Sequence, residues 1–299
     1  MIPNKRRVTP SGAFSGTTAA NMKRQQTLDS YDFIIIGGGI AGASIAYELC
    51  RSASCLLLEQ EQAFGYHTSG RSAATYIELL HNQTIVALSR NSLPFLANPP
   101  SGFSDAPLLS DCGCLVVGSS SDQQQLDTAF EQAQQLGTRV QRYNAEQIAQ
   151  AVPVLNTGPE GFDGGLFEPD AKRIDVAALL QGYLKGTRAH GGKTLSNAEV
   201  ANIEYDSERW RISAGNTTYH GAVLINAVGA WSDRIAEMAG LPAIGLTPKK
   251  RTMITFDAPT ETDISSWPMV GDLQARFYFV PETGQLLDSP AGATPDQPC

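Results

Sequence analysis

A glycine turn and one acidic residue form the clearest chemical pattern in this sequence. Gly37, Gly39 and Gly42 follow the apolar residues 33–36 with the spacing G-x-G-x-x-G, and Glu59 ends a second apolar run about 20 residues further on. In such a pattern the first glycine permits a tight turn, the second lets backbone amides approach a pyrophosphate, and the third lets a helix pack against the sheet. The acid accepts hydrogen bonds from a ribose diol. The pattern therefore predicts a dinucleotide site, and it does not by itself distinguish NAD from FAD.

Composition and charge restrict what else the chain can bind. The 299 residues are 42% hydrophobic and 17% charged and include 28 glycines, which is typical of a globular α/β protein with one large or two moderate domains. The formal net charge of -8 argues against a nucleic-acid surface. No apolar run approaches the ~20 residues that a membrane-spanning helix needs. We therefore expect a small-molecule partner, no nucleic acid and no transmembrane segment.

The cysteines indicate a reducing compartment and no metal site. Cys50, Cys55, Cys112, Cys114 and Cys299 form no C-x-x-C pair, and their number is odd. Because the chain also lacks the apolar core of a secretory signal, we expect reduced thiols. Cys112 and Cys114 are interpreted as packing residues that share a strand face, since zinc would need four ligands. The predicted location is cytoplasmic, with peripheral attachment to the inner membrane as an alternative.

Residues 1–29 are predicted to be a disordered extension outside the fold. The segment is basic, rich in Ser, Thr and Ala, and has no apolar periodicity. Such a composition is typical of a transit peptide. An alternative is a start codon assigned upstream of Met22, and we favour that interpretation.

Apolar periodicity predicts the elements that must position the glycine turn. Helices are expected over 81–96, from Asp122 onward and over 175–190. A strand is expected over 112–117, and a hairpin over 198–205 and 210–214. A buried strand then runs into a helix over 222–240, and alternating β patterns follow from Leu246.

Two segments resemble the FAD-dependent D-amino-acid oxidase and dehydrogenase family, and within it the bacterial D-arginine dehydrogenase type. They are YHTSGRSAA (66–74) and AVLINAVGAWSDRIA (222–236), and NPPSGF, VPVL, QGYLKG and WPM add to the likeness. The resemblance implies FAD as the cofactor and an α/β fold, in which a Rossmann-like FAD-binding domain of the glutathione-reductase type is interleaved with a mixed-sheet substrate domain. The implied domains are 30–107 with 168–246 for FAD, and 108–167 with 247–299 for an incomplete substrate domain.

The resemblance also implies which residues contact the cofactor. Glu59 would hold the adenosine ribose, residues 69–73 would lie along the pyrophosphate and flavin, and Val200 would meet the adenine through its backbone. Arg71 carries a fixed charge suited to a phosphate, although a surface ion pair is the alternative. The full expected set is Gly37, Gly39, Ile40, Ala41, Gly42, Glu59, Gln60, Ser69, Gly70, Arg71, Ser72, Ala73, Val200, Asn226, Ala227, Gly229 and Trp231.

Three further residues are expected to serve the substrate. Oxidising an amino acid delivers its α-hydrogen as hydride to a flavin, which requires positioning more than a dedicated base. The resemblance implies that Arg251 holds the substrate carboxylate. It also implies that Tyr278 assists Arg251 and that Met269 lines the substrate pocket. The alternatives are an exposed strand ion pair for Arg251 and core packing for Tyr278 and Met269.

The chain departs from the D-arginine type at several positions. Thr75, Leu80 and Cys114 stand where that type has a histidine, a tyrosine and the acid that meets a cationic side chain. We therefore expect a less charged substrate than D-arginine. Asp288 stands at a family glycine, close to the strand expected to face the flavin. The chain also stops before a further substrate arginine and a glycine-rich segment, so we expect a carboxy-terminally truncated relative.

Together these features predict an FAD-dependent oxidoreductase that oxidatively deaminates D-amino acids to 2-oxo acids by hydride transfer to the flavin. The electron acceptor, a quinone or oxygen, is left open. One alternative is a secondary-amine oxidase of sarcosine or glycine-like substrates, and another is a 2-hydroxy-acid dehydrogenase. An alternative of another class is a catalytically inactive, truncated FAD-binding fragment.

Overall fold

The computed structural model describes residues 30–260, 262–282 and 284–298, so the predicted extension over 1–29 lies outside the described residues. Within those ranges the α-helices are α1 (Ile40–Leu49), α2 (Gln83–Ala97), α3 (Gln123–Gln135), α4 (Ala145–Ala151), α5 (Val176–Ala189) and α6 (Ser232–Met238). The first nine strands are β1 (Ser30–Ile36), β2 (Cys55–Leu58), β3 (Thr75–Tyr76), β4 (Leu109–Asp111), β5 (Cys114–Gly118), β6 (Gln141–Asn144), β7 (Gly164–Glu168), β8 (Lys172–Ile174) and β9 (Lys193–Leu195). The later strands are β10 (Val200–Tyr205), β11 (Trp210–Ala214), β12 (Thr217–Asn226), β13 (Lys249–Lys250), β14 (Ile254–Asp257), β15 (Met269–Asp272), β16 (Tyr278–Glu282), β17 (Gln285–Ser289) and β18 (Thr294–Pro295).

The glycine turn belongs to a sheet that, in the described part of the chain, has the strand order β10-β11-β12-β1-β2-β9. Strands β12, β1, β2 and β9 are parallel, and β10 and β11 extend the sheet as an antiparallel hairpin. Strands β1 and β2 are continuous apolar runs because helices or other elements cover both of their faces. Their central side chains are fully buried, as Ile34, Ile35, Leu56 and Leu57 show.

Alternate residues of β1 and β2 face two different cores. Ile35 and Leu57 pack against helices α1 and α5. Ile34 and Leu56 point to the opposite face, where they pack against the β10–β11 hairpin and Ile235 of α6. The central strands are thus buried on both sides, as a Rossmann-like sheet requires.

A second, mixed sheet has the order β14-β17-β16-β15-β5-β7-β6 over the described residues. Its β15–β5 pair is parallel and its other pairs are antiparallel. Helix α4 and Trp267 cover one face, and helix α3 covers β5 and β7 on the other. Strands β3, β8 and β4 form a small antiparallel sheet beside it. The chain enters the mixed sheet at β5, returns to the parallel sheet at β9 and re-enters the mixed sheet at β14, which confirms the predicted fold class.

Most predicted elements are present, with differences at their ends that have local causes. Helix α2 begins at Gln83, and not at His81, because the Asn82 side chain accepts a hydrogen bond from the Ile85 amide at 3.0 Å and caps the helix there. The strand expected from Cys112 begins at Cys114, because Gly113 has φ +65°. Cys112 therefore lies outside the strand, so the two cysteines do not share a strand face, but both pack in one apolar cluster, as the packing interpretation predicts. The exact domain boundaries stay a prediction.

No helix among the described residues is both long and apolar enough to cross a bilayer. In the same part of the chain, no cluster of three or more His, Cys, Asp or Glu side chains could hold a metal ion.

A substitution at Gly42 tests how tightly the glycine turn is packed. A Cβ atom at this position would lie 1.9 Å from the Gly37 carbonyl oxygen, which is backbone and cannot move aside cheaply. We expect Gly42→Ala to lower the free energy of unfolding by roughly 1–3 kcal/mol, although alanine normally stabilises a helix relative to glycine. Urea unfolding of the purified chain measures this change. Gly292→Ala is the control because its Cβ would meet nothing within 4 Å, and equal stability of the two variants would contradict the prediction.

Candidate functional site

The glycine turn lies where strands β12, β1 and β2 end side by side. Gly37 has φ +106°, and a Cβ there would lie 2.4 Å from the Ala227 carbonyl oxygen, so only glycine fits. Gly39 precedes helix α1 and has no side chain with which to cap it. The amino terminus of α1, with its partial positive charge, therefore opens onto the crevice at the strand ends.

The Glu59 carboxylate is held in a fixed orientation beside this turn. Its Oε2 accepts a hydrogen bond from the Gly38 amide at 2.7 Å, and its Oε1 accepts one from the Glu61 amide at 2.8 Å. The residue is only 8% exposed. Each carboxylate oxygen can accept more than one hydrogen bond. Glu59 can therefore accept hydrogen bonds from a ribose diol without giving up its backbone contacts.

Ser69 joins the next predicted segment to the turn. Its hydroxyl oxygen accepts a hydrogen bond from the Ile40 amide at 2.9 Å, so it reaches the first turn of α1. The neighbouring Gly70 amide donates to the Gly65 carbonyl at 2.7 Å, and a Cβ on Gly70 would lie 2.5 Å from that oxygen. This compact turn holds Ser69 at the amino terminus of α1.

Two adjoining cavities contain most of the predicted cofactor residues. The first, of about 350 Å³, lies at the ends of the parallel strands and is lined by Gly37, Gly39, Ile40, Ala41, Glu59, Gln60, Ser69, Val200, Ala227, Gly229 and Trp231. The second, of about 610 Å³, is lined by Gly70, Ser72 and Ala73, and it shares Gly65 and Ser69 with the first. An elongated ligand can thus extend from the glycine turn past Ser69 toward the mixed sheet.

Three predicted residues do not line either cavity. Gly42 packs beneath the turn, where it allows α1 to approach Gly37. The Asn226 side chain donates to the Ser232 carbonyl at 2.8 Å and so holds the start of α6. The Arg71 guanidinium lies over the Tyr66 ring, with its Cζ atom 5.0 Å from the ring centroid. A phosphate role for Arg71 stays a prediction.

Sequence reasoning missed a contact that crosses the crevice. His67 follows β2 and Trp231 follows β12, and their ring centroids are 4.6 Å apart. The His67 Nε2 atom also lies 3.0 Å from Glu61 Oε1. Both residues line the 350 Å³ cavity, and they come from segments that follow the strands on either side of β1. Trp231 was predicted, whereas nothing in the local sequence indicates that His67 would reach it.

The three predicted substrate residues lie on one side of the mixed sheet. The Arg251 Cζ atom is 5.8 Å from the centroid of the Tyr278 ring, and the Tyr278 hydroxyl donates to Met253 Sδ at 3.0 Å. Thr75 donates through Oγ1 to Met269 Sδ at 3.4 Å. Thr75 lines the 610 Å³ cavity, whereas Arg251, Tyr278 and Met269 lie outside its lining.

The segment that carries Thr75 is fixed by a buried acid. Both Glu78 and Leu79 donate their amides to the Glu168 carboxylate, with distances of 3.0 and 2.9 Å. Burial raises the pKa of Glu168. This anchoring sets the position of β3, and with it the position of Thr75 at the cavity wall.

The departures from the D-arginine type have different structural settings. Cys114 is buried under α3 with Val116 and Leu166, and burial raises the pKa of its thiol. Leu80 is half exposed, with φ 66°. Asp288 pairs with Phe279, so alternation along the strands puts it on the opposite face of the sheet from Tyr278. Asp288 is thus not directed to the substrate side.

The substitution Glu59→Gln tests whether Glu59 binds the ribose of FAD. An amide nitrogen would replace one carboxylate oxygen and could not accept from a backbone amide, and the anionic acceptor for the diol would be lost. Since hydrogen bonds to charged groups contribute about 1.5–3 kcal/mol, we expect the Kd for FAD to rise roughly 10- to 100-fold. Titration of the FAD-free chain with FAD, followed by quenching of flavin fluorescence, measures the Kd.

Glu199→Gln is the control for this measurement. Glu199 lines the same cavity but is an exposed acid paired with Arg234 at 3.4 Å. An effect of Glu199→Gln as large as that of Glu59→Gln would contradict a specific role for Glu59.

Comparisons with known proteins agree with this geometry. FAD-dependent oxidoreductase domain-containing protein 1 of Mus musculus is 26% identical over 292 residues, covering 83% of this chain and 59% of that protein. L-2-hydroxyglutarate dehydrogenase of Escherichia coli (strain K12) is 27% identical over 223 residues, covering 71% of this chain and 50% of that protein. The chain thus spans 50–59% of the length of these curated relatives.

The fold is also found in solved structures. Glycine oxidase from Geobacillus kaustophilus superposes with a TM-score of 0.75 at 22% sequence identity, over 89% of this chain and 72% of that one. At this identity the likeness shows the fold alone.

The cofactor and the family follow from these observations together. The positive end of α1, the glycine positions that no Cβ could occupy and the fixed Glu59 carboxylate fit the pyrophosphate and ribose of FAD. A family model described as FAD dependent oxidoreductase (DAO) matches residues 32–297. The chain is therefore a member of the DAO family of FAD-dependent oxidoreductases.

Proposed function

We propose that this protein oxidatively deaminates D-amino acids to 2-oxo acids. The observation that carries the proposal is the stacking of the Arg251 guanidinium on the Tyr278 ring, next to Met269 and Thr75 on one side of the mixed sheet. A planar guanidinium can grip a carboxylate through two parallel hydrogen bonds. Because the chain spans 50–59% of the length of its curated relatives, the activity of the whole protein is part of the proposal.

The chemistry asked of these residues is positioning. Arg251 holds the α-carboxylate of the substrate, and the Tyr278 ring fixes the guanidinium by a cation–π contact. Among the described residues, the Tyr278 hydroxyl donates to a thioether sulfur, which is a weak acceptor, so it can turn toward the carboxylate. When bound, FAD supplies the ring that accepts the α-hydrogen as hydride. The imino acid then reacts with water to give the 2-oxo acid and ammonia.

The roles of the cofactor residues are proposed with the function. The amides at the start of α1 and residues 69–73 would hold the pyrophosphate, Glu59 the ribose and the Val200 backbone the adenine. The lining of the two cavities by this set supports these roles. The domain boundaries, the cytoplasmic location, the kinship with the D-arginine type and the truncation stay predictions. The electron acceptor, quinone or oxygen, stays open.

Two alternatives share the same carboxylate clamp. A secondary-amine or glycine-like oxidase is favoured by the structural likeness to glycine oxidase, and a 2-hydroxy-acid dehydrogenase by the relative named L-2-hydroxyglutarate dehydrogenase. In both, Arg251 would bind the carboxylate while a different C–H bond is oxidised. A catalytically inactive FAD-binding fragment is the alternative of another class.

Anaerobic reduction of the flavin distinguishes these activities. We expect D-amino acids to bleach the yellow absorbance of the FAD-loaded protein, and the corresponding L-amino acids to leave it unchanged because only one enantiomer presents its α-hydrogen to the ring. Bleaching by sarcosine alone, or by a 2-hydroxy acid alone, would instead support the corresponding alternative. A flavin that none of these compounds reduces would contradict all three activities.

Arg251→Lys tests the clamp. Lysine keeps the charge but cannot form two parallel hydrogen bonds in a fixed plane. We expect kcat/KM for a D-amino acid to fall roughly 10- to 100-fold, as for the loss of one charge-assisted hydrogen bond, with FAD content unchanged. Stopped-flow flavin reduction measures the rate. Arg211→Lys, in an exposed pair with Glu204 on the β10–β11 hairpin, is the control, and an equal fall in both variants would contradict the assignment.

A further inference from the structure

Another large cavity adjoins the 610 Å³ cavity. It has a volume of about 640 Å³ and extends to Phe167, Asp263 and Trp267. The two cavities share part of their lining, namely Ser110, Cys112, Arg173 and Glu282. The wall between them therefore contains one guanidinium, which has no part in the proposed catalysis.

The fold directs Arg173 toward the proposed substrate side. On the small sheet, β8 lies between β3 and β4, and Arg173 pairs with Thr75 on one side and Ser110 on the other. Directly opposed side chains in such a sheet have Cβ atoms about 4.5–5.5 Å apart. Thr75 in turn contacts Met269. Arg173 is thus the immediate neighbour of Thr75, which touches one of the proposed substrate residues.

The guanidinium is anchored but not saturated. It donates to the Pro281 carbonyl, and its Nη1 atom lies 3.4 Å from Glu282 Oε2. Since charge-assisted N–H···O bonds are typically about 2.7–2.9 Å long, the contact with Glu282 is loose. The side chains of Arg173 and Glu282 are 31% and 50% exposed. A better-placed carboxylate can therefore replace Glu282 without leaving a buried charge unpaired.

The other carboxylates that line the two cavities have partners of their own. Asp263 lines the 640 Å³ cavity and accepts a hydrogen bond from the Ser265 amide at 2.9 Å. Asp175 lines the 610 Å³ cavity, but its carboxylate caps helix α5 by accepting from the Ala178 amide at 2.8 Å. Asp111 lines the 640 Å³ cavity and pairs with Lys172. Among the described residues that line the two cavities, Arg173 is the only cation, and its partner Glu282 holds it loosely.

We propose that Arg173 binds a second anionic group on the substrate, and that the preferred substrates are D-amino acids with an acidic side chain. This inference rests on the proposed function, in which Arg251 holds the α-carboxylate. When the substrate binds, the Arg173 guanidinium gives up its contact with Glu282 and pairs with the side-chain carboxylate of the substrate. Arg173 acts as a specificity-determining residue, because it contacts the end of the substrate that does not react.

The experiment compares D-glutamate with D-glutamine, which has the same shape without the second charge. Anaerobic flavin reduction is measured with the FAD-loaded full chain. We expect kcat/KM to favour D-glutamate by roughly 10- to 100-fold, the range for a hydrogen bond to a charged group. Arg173→Gln should abolish that preference while the D-glutamine rate stays within a few-fold. Arg173→Lys should restore part of it.

A binding measurement separates this role from catalysis. Glutarate, which has two carboxylates and no amine to oxidise, is titrated calorimetrically into the same proteins. Its Kd should rise roughly 10-fold or more in Arg173→Gln and should fall in Glu282→Gln, which removes the competing carboxylate. A merely structural role of the Arg173–Glu282 pair predicts the opposite for Glu282→Gln. Arg139→Gln, which breaks an exposed ion pair with Asp170, is the control.

The outcomes distinguish the two hypotheses. If D-glutamate and D-glutamine reduce the flavin equally and glutarate binding is unchanged in Arg173→Gln, the role of Arg173 is overturned and the proposed function stands. If no amino acid reduces the flavin but glutarate binding depends on Arg173 and Glu282 as described, the acidic ligand site stands and the proposed function fails. If Arg173→Gln does not fold, Glu282→Gln decides, and unchanged or weaker glutarate binding in it overturns the inference.

Discussion

The structure depends on the close approach of three backbone segments at the end of β1. The Gly37 Cα lies against the Ala227 carbonyl, and Gly42 lies against the Gly37 carbonyl, at distances that leave no room for a Cβ. This contact brings β12, β1 and α1 together so that the amino terminus of the helix points into the crevice between the strands. Glu59 and Ser69 then attach to the amides of Gly38 and Ile40, next to the same turn.

The two large sheets contribute different kinds of chemistry to one continuous space. The parallel sheet offers backbone amides and a single oriented carboxylate, which suit a ligand of defined length and negative charge. The small sheet beside the mixed sheet offers the Arg173 guanidinium to the 610 Å³ cavity, and the Arg251 guanidinium lies against Tyr278 of the mixed sheet. The segment 65–75 runs between the two regions, and its residues Gly65 and Ser69 line both cavities. In the proposed function, the groups that bind the cofactor and those that bind the substrate therefore belong to different sheets and are joined by one short segment.

Sequence reasoning succeeded where the determinants are local. The G-x-G-x-x-G turn, the strand before Glu59 and the amphipathic helices α3 and α5 depend on residues within one or two turns of chain, and the structure contains them. It failed where the path of a loop decides the contact. His67 meets Trp231 and Arg173 reaches β16 only after the sheets have assembled, with partners more than 100 residues away. Arg71 lies over the Tyr66 ring, and the sequence around Arg71 does not indicate this contact.

The aromatic pair over the crevice has a kinetic consequence. His67 and Trp231 come from segments that follow the strands on either side of β1, and both line the cavity at the glycine turn. If a bound dinucleotide can leave only when this pair separates, the frequency of that separation limits its escape. Slow loss of flavin during dialysis would then measure how rarely the pair separates, and a tightly retained prosthetic group would be compatible with a modest equilibrium affinity.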